Sequence, residues 1–151
     1  MEKTERIINP QWARLNSGLP YLAWVIALVA TVGSLFFSEV MGLPPCVLCW
    51  YQRIAIYPLV LIIGTGIIMR DGRMRNYALP LCLSGLAVSV YHNLLYYGVM
   101  PAGITPCAQG VPCTERQIEW LGFITIPLMG LAAFLGLTLC LLLYKPAREK
   151  E

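Results

Sequence analysis

Two pairs of cysteines carry the chemistry this chain could do. The first pair sits in Pro44-Pro45-Cys46-Val47-Leu48-Cys49-Trp50-Tyr51-Gln52-Arg53. Two prolines before an apolar run mark a helix start, because proline fits the first turn and cannot continue a preceding helix. Cys46 and Cys49 then share a face of that first turn, within disulfide reach. Unpaired N–H groups at a helix start favour thiolate, and Arg53, one turn beyond Cys49, would favour it further at that sulfur. The second pair sits in Pro106-Cys107-Ala108-Gln109-Gly110-Val111-Pro112-Cys113. Gly110 and Pro112 suit a tight surface loop, where a disulfide is either a staple or a bond that a protein partner can reach. Two dithiol/disulfide pairs can exchange through mixed disulfides by thiolate attack.

These cysteines need elements to hold them, and composition says which kind. Of 151 residues, 58% are apolar and only 13% charged, about half the charge usual in soluble domains. The mean hydropathy is +0.65. Such a chain is neither a soluble globular domain nor a disordered one, and a net charge of +3 gives no reason to expect nucleic acid as a partner. Four stretches are long enough to cross a bilayer. Leu15 to Ser38 and Trp120 to Tyr144 contain no charge. Cys46 to Met69 is interrupted only by Arg53, and Asn76 to Tyr97 has one histidine, His92. About 20 apolar residues span a hydrocarbon core of ~30 Å as a helix. The stretches lack the alternation of a barrel strand. No small-x-small site follows Phe36-Phe37-Ser38-Glu39, so the first stretch reads as an uncleaved span rather than a signal peptide. The expected fold is an all-α membrane protein, a single four-transmembrane-helix bundle over residues 1–151. Its spans fall at about 18–38, 49–69, 77–97 and 120–144, with outer loops at about 39–48 and 98–119.

Basic residues predict the orientation. Lys3, Arg6, Arg14, Arg70, Arg73, Arg75, Lys145, Arg148 and Lys150, nine of the eleven Lys and Arg, fall on one side of the spans. The other side has Arg116, with Arg53 near the mouth of span two. The positive-inside rule then puts both termini in the cytoplasm. Tyr21, Trp24, Trp50, Tyr51, Tyr96, Tyr97, Trp120 and Tyr144 lie near span ends, as an aromatic belt would. Cys46, Cys49, Cys107 and Cys113 fall on the outward side, where disulfides persist. Cys82 and Cys140 lie inside spans and read as small apolar fillers.

Arg53 is the most costly residue in the chain, because a charge just inside a span is functional by default; snorkelling to the interface is the alternative. His92 is expected at about the same depth, either at the site or as a satisfied polar group between helices. Net disulfide formation also needs somewhere for two electrons to go. The chain has no haem motif, flavin fingerprint or soluble redox domain. A lipid-soluble two-electron acceptor, a quinone, fits the position of the first pair, and Arg53 could hydrogen-bond its oxygen.

The stretches Cys46-Val-Leu-Cys49-Trp-Tyr-Gln-Arg53 and Cys113-Thr-Glu-Arg-Gln-Ile-Glu-Trp-Leu-Gly122 closely resemble the two cysteine motifs of the DsbB family, the quinone-dependent disulfide oxidoreductases of bacterial membranes. Gly33-Ser34-Leu35-Phe36-Phe37-Ser38-Glu39 and Gly122-Phe123-Ile124-Thr125-Ile126-Pro127 resemble its shorter branch, BdbC. The resemblance runs from about Tyr21 to Tyr144. It implies a plasma-membrane enzyme that reoxidises a thioredoxin-fold partner of the DsbA or BdbD type and reduces membrane quinone, menaquinone or ubiquinone. Cys107 would be the partner's attack point, and Cys113 would pair transiently with Cys46. Cys49 would face the quinone in a charge-transfer or covalent adduct, supported by Arg53, and His92 would line the quinone pocket. No metal is implied. Longer members separate the second pair by a long segment, whereas five residues do so here, so electron passage between the pairs would need a smaller shift. Three alternatives stand beside this reading. A vitamin-K-epoxide-reductase-like enzyme would carry its C-x-x-C in the last span. A four-cysteine metal protein would fit C-x5-C poorly. The third is a non-catalytic subunit with stapling disulfides.

Overall fold

The computed structural model describes residues 10–99, 112–114, 119–120 and 124–145. In chain order it has α1 (Pro10–Leu35), a π-helical turn (Phe36–Val40), α2 (Val47–Ile68), α3 (Met74–Tyr96), β1 (Glu119–Trp120), β2 (Ile124–Thr125) and α4 (Ile126–Leu143). The expected all-helical architecture is therefore present. Four helical stretches, Asn16–Val40, Val47–Ile68, Met74–Tyr96 and Ile126–Leu143, are long and apolar enough to cross a membrane.

The helices close into a ring. α1 packs against α2 and α4, and α3 packs against the same two. Asn16 and Lys145 exchange two hydrogen bonds of 2.7 Å, side chain to backbone in both directions. Nearby, the Arg75 guanidinium donates to the Tyr144 carbonyl at 3.2 Å. Asn16 of α1, the first turn of α3 and the residues just after α4 thus lie at one end of the bundle. The start of α2 and the end of α3 lie at the other, and that end carries the first cysteine pair.

Small residues let the helix backbones approach closely, the packing that works where lipid removes the hydrophobic incentive to associate. Ala23, Ala27, Ala55 and Ala78 are buried with Leu59, Ile63, Phe134 and Leu137 in one core. Cys82 and Cys140 belong to that core; the Cys82 sulfur lies 3.3 Å from the Thr138 hydroxyl. Leu61, Ile68 and Leu139 face outward, as lipid-facing positions do. Trp24, expected in the aromatic belt, is half-buried and spends its indole N–H on the Val60 carbonyl at 3.1 Å. It ties α1 to the middle of α2.

The helix ends have local causes. α2 closes with the Arg70 N–H donating to the Ile67 carbonyl at 3.2 Å and the Asp71 N–H to the Gly66 carbonyl at 2.9 Å, with Arg70 left-handed at φ 52. α3 closes on the same pattern, the Gly98 N–H donating to the Leu95 carbonyl at 3.1 Å and the Val99 N–H to the Leu94 carbonyl at 2.9 Å, with Gly98 at φ 72. Both are Schellman motifs, and only α3 has the glycine that the geometry favours. The apolar stretch 120–144 is not one helix. Trp120 pairs with Ile124 and Glu119 with Thr125 in a two-residue antiparallel ladder. The helix starts only at Ile126, where the Thr125 hydroxyl caps Leu128 N–H at 3.4 Å and Pro127 occupies the first turn.

Candidate functional site

The site is built at the head of α2. Cys46 has extended backbone (φ −70, ψ 169) and is the N-cap residue of the helix. Its sulfur takes the place that a serine or aspartate oxygen fills in a usual cap, accepting the Cys49 N–H at 3.3 Å. The two sulfurs are 2.7 Å apart with both thiols free, so closing the disulfide needs no backbone movement. Cys46 is buried at 6% exposure and Cys49 is half-buried.

α3 supplies the third group. His92 is 2% exposed, and its Nε2 lies 3.7 Å from the Cys46 sulfur. Its Nδ1 is 3.2 Å from the Gln52 amide nitrogen. A side-chain amide nitrogen only donates, so Nδ1 accepts and Nε2 carries the hydrogen aimed at Cys46. The Cys49 thiol and, behind it, His92 hold the Cys46 sulfur as thiolate against the cost of its burial, drawing its pKa from 9.0 to about 4. That is the range of thiols activated at helix starts. Helix head and Arg53 favoured a thiolate at Cys49 on sequence grounds; the folded site puts the stronger acidifying contacts on Cys46.

Arg53 lies one turn below. Its Nη2 donates to the Ser34 carbonyl of α1 at 3.0 Å, and its guanidinium stacks over the Trp50 ring at 5.4 Å. Ser34 lies just ahead of the π-helical turn, where Met41 N–H reaches back to the Phe36 carbonyl at 3.1 Å. π-Bulges of this kind recur at functional sites. The buried Arg53 Nε–H has no partner among the described residues. The guanidinium is thus anchored inward as well as placed near the interface.

Arg53, Gln52 and Cys49 share the wall of a cavity of about 450 Å³ between α1, α2 and α4. The rest of its lining is almost wholly apolar, with Val29, Phe37 and Phe134 among it. Its size and character fit a small-molecule site, a mostly apolar hollow with a few convergent polar groups. His92 is not among the residues that line this cavity; it lies behind Cys46 instead.

Cys113 is disulfide-bonded and buried at 4% exposure. It belongs to the same small buried cluster as Cys46, Leu48 and Leu95, with Cys49 and Tyr91 packed against it. Three of the four expected reactive cysteines therefore meet at one end of the bundle. Cys107 lies outside the described residues, as do Lys3, Arg6, Arg116, Arg148 and Lys150. The ligand atoms of Cys46, Cys49 and His92 lie within 4.8 Å of one another, a donor set that could also hold a soft metal ion. Two residues here had no assigned role in the sequence reading. Gln52 is a half-buried polar residue next to Arg53, and its place beside that cation inside an apolar span was its only signal. Asn93 is buried and donates to the Ser89 and Pro127 carbonyls at 2.8 and 2.9 Å, tying α3 to the start of α4; nothing in the sequence pointed to Pro127 as its partner.

A poised dithiol at the head of a membrane helix, clustered with a disulfide from another segment, defines a membrane thiol–disulfide oxidoreductase. The family model described as disulfide bond formation protein DsbB matches residues 16–144, and the chain belongs to that family. It is 46% identical over 130 residues to disulfide bond formation protein C of Bacillus subtilis, covering 86% of this chain and 94% of that protein. It is 43% identical over 128 residues to a probable disulfide formation protein C of Halalkalibacterium halodurans, covering 85% and 92%. A probable disulfide formation protein of Metapseudomonas resinovorans is 37% identical over 139 residues, covering 91% and 96%. No solved structure matches the chain. The dithiol opens α2, not the last helix that the vitamin-K-epoxide-reductase-like alternative requires.

Proposed function

We propose that this protein reoxidises an extracytoplasmic thioredoxin-fold dithiol oxidase of the DsbA type and passes the electrons to membrane quinone, so that exported proteins acquire disulfides. The observation that carries this reading is the shared wall of the apolar cavity. It brings Cys49 and Arg53 together, with an Arg53 Nε–H that has no partner among the described residues. A quinone ring is flat, apolar and edged by two carbonyl acceptors, which suits an apolar hollow with a cation at its rim. When bound, the quinone accepts two electrons and two protons.

The chain's own residues do the rest. A partner thiolate attacks the Cys107–Cys113 disulfide at Cys107, and Cys113 leaves as thiolate. The partner's second thiolate displaces Cys107, so the partner is oxidised and the loop pair reduced. Cys113 thiolate then attacks Cys46 of the oxidised first pair, and Cys49 leaves as thiolate at the cavity wall. Cys107 displaces Cys46 from Cys113, which restores the loop disulfide and completes the first-pair dithiol. Electrons and bonds balance at each exchange. Burial of Cys113 in the cluster of Cys46 supports a short transfer without long travel of the loop. Arg70, Arg73, Arg75 and Lys145 lie at the opposite end of the bundle from this site, and the positive-inside rule makes that end cytoplasmic.

The test is anaerobic mixing of the reduced partner, quinone and purified protein, following quinol. Quinol is expected in step with oxidised partner. Partner oxidation with no quinol formed would overturn the assigned acceptor.

A further inference from the structure

The proposed function accounts for the sulfurs, for Arg53 and for the cavity. It leaves His92, buried behind Cys46 and away from that cavity, together with the glutamine that holds it. We infer that His92 is a catalytic residue acting on Cys46 rather than on the electron acceptor, and that Gln52 is the positioning residue that locks it in the Nε2–H tautomer. This inference rests on the exchange sequence above and deepens it.

The geometry runs through three side chains. Cys46 Sγ lies 3.7 Å from His92 Nε2, and His92 Nδ1 lies 3.2 Å from Gln52 Nε2. Neutral imidazole has one donor and one acceptor nitrogen, so the bond at one nitrogen decides the other. Without Gln52, either tautomer would satisfy a histidine beside a sulfur. With it, Nδ1 must accept. Gly130 on α4 leaves room for the Gln52 amide, whose oxygen points there: a Cβ at that glycine would come within 2.7 Å of the oxygen and 3.8 Å of the Ser89 hydroxyl. The Ser89 hydroxyl, on α3, is buried with no partner among the described residues. Burial of His92 and Cys46, at 2% and 6% exposure, keeps water from replacing either contact.

The chemical consequence falls on one exchange. When Cys107 thiolate attacks Cys113 in the Cys113–Cys46 disulfide, the Cys107–Cys113 bond forms, the Cys113–Cys46 bond breaks, and Cys46 leaves with the electron pair. A leaving thiol departs faster the better its thiolate is stabilised. The Nε2–H is already aimed at that sulfur, so the charge appears where a donor waits. The same contact makes the other direction of cleavage, with Cys113 leaving, the poorer one. His92 thereby directs the loop disulfide toward closure and the electrons toward the cavity. The titratable neighbours of Cys46 among the described residues are Cys49 on its own helix and His92 and Tyr91 on α3. The Cys113 disulfide does not titrate, and Arg53 is turned to Ser34.

The chain has one histidine, so histidine labelled with nitrogen-15 reports this ring alone. In the full-length reduced protein in lipid nanodiscs, the nitrogen spectrum is expected to show protonated Nε2 and bare Nδ1. In Gln52→Leu both tautomers should be populated. The pH midpoint for alkylation of Cys46, read site by site by mass spectrometry, should rise by about one to two pH units, the size expected for a lost hydrogen bond to a charged group. His92→Leu should raise it as far, and His92→Gln, which keeps an amide donor, should restore most of it. A bare Nε2 in the wild-type protein would overturn the inference, whether or not the variants fold. So would a tautomer and a Cys46 midpoint that both stay put in Gln52→Leu. None of these readouts involves quinone. Failure of quinol formation in the wild-type protein would count against the proposed acceptor alone.

Discussion

The two cysteines of the first pair are chemically unequal, although the sequence presents them alike. Cys46 is the helix cap and collects hydrogen bonds; Cys49 faces the cavity. Cys49→Ser is therefore expected to abolish quinol formation while the Cys113 disulfide still forms, read by thiol trapping and mass spectrometry; quinol formation persisting in that variant would end the scheme. Cys46 has its folded pKa pulled from 9.0 down to about 4. A depressed pKa adds stability that is present above the unfolded value and is lost as pH falls through the folded one. The reduced protein should accordingly lose thermal stability between about pH 9 and pH 4, and Cys46→Ser should flatten that slope. Arg53 is held by Ser34 and Trp50, so its guanidinium is placed before any acceptor arrives. Arg53→Met should raise the KM for quinone by about tenfold or more, since a hydrogen bond to a charged group is worth ~1.5–3 kcal/mol. An unchanged KM would return Arg53 to simple snorkelling.

Elements respond differently, because their ends and contacts are mostly local matters. The α2 Schellman turn puts Arg70 at φ 52, where a side chain costs about 1 kcal/mol. Arg70→Gly should therefore stabilise the bundle by about that amount, read as a higher Tm in detergent. It also removes one basic residue from that end, so insertion topology should be checked alongside. Gly85 on α3 faces the Phe134 ring of α4 so closely that an added Cβ would collide with it. Gly66 on α2 faces the buried Met74 side chain just as closely, down to its Cβ. Gly85→Ala and Gly66→Ala should each destabilise by about 1–3 kcal/mol, the usual range for overpacking. An unchanged Tm in Gly85→Ala would contradict this account of the α3–α4 contact.

For the molecule as a whole, the expectation is polarity across the bilayer. After reduction in spheroplasts, a membrane-impermeant thiol reagent should reach Cys49 from outside, and an engineered cysteine at Arg73 should be protected. The reverse pattern would invert the map and with it the proposed partner. Much of this architecture was legible in advance. Four apolar stretches of bilayer length predicted four helices, and Pro44-Pro45 placed the dithiol at a helix head. The start of α4 was less legible, since the uncharged run from Trp120 gives no hydropathy break at Ile126 where the Thr125 cap and Pro127 begin the helix.

Length, hydropathy and short-range spacing are local properties, and they were enough to determine the spans, the Cys46/Cys49 pair and the cation one turn below. The contacts of Cys46 with His92, 46 residues away, and of His92 with Gln52, 40 residues away, were decided by tertiary structure. So were the seat of Arg53 on Ser34 and the burial of Cys113 beside Cys46. The physical reason lies in lipid. A helix that is apolar on every side carries no stripe to mark its inward face. Its rotation and depth are set only when small residues and buried polar groups find one another across the bundle.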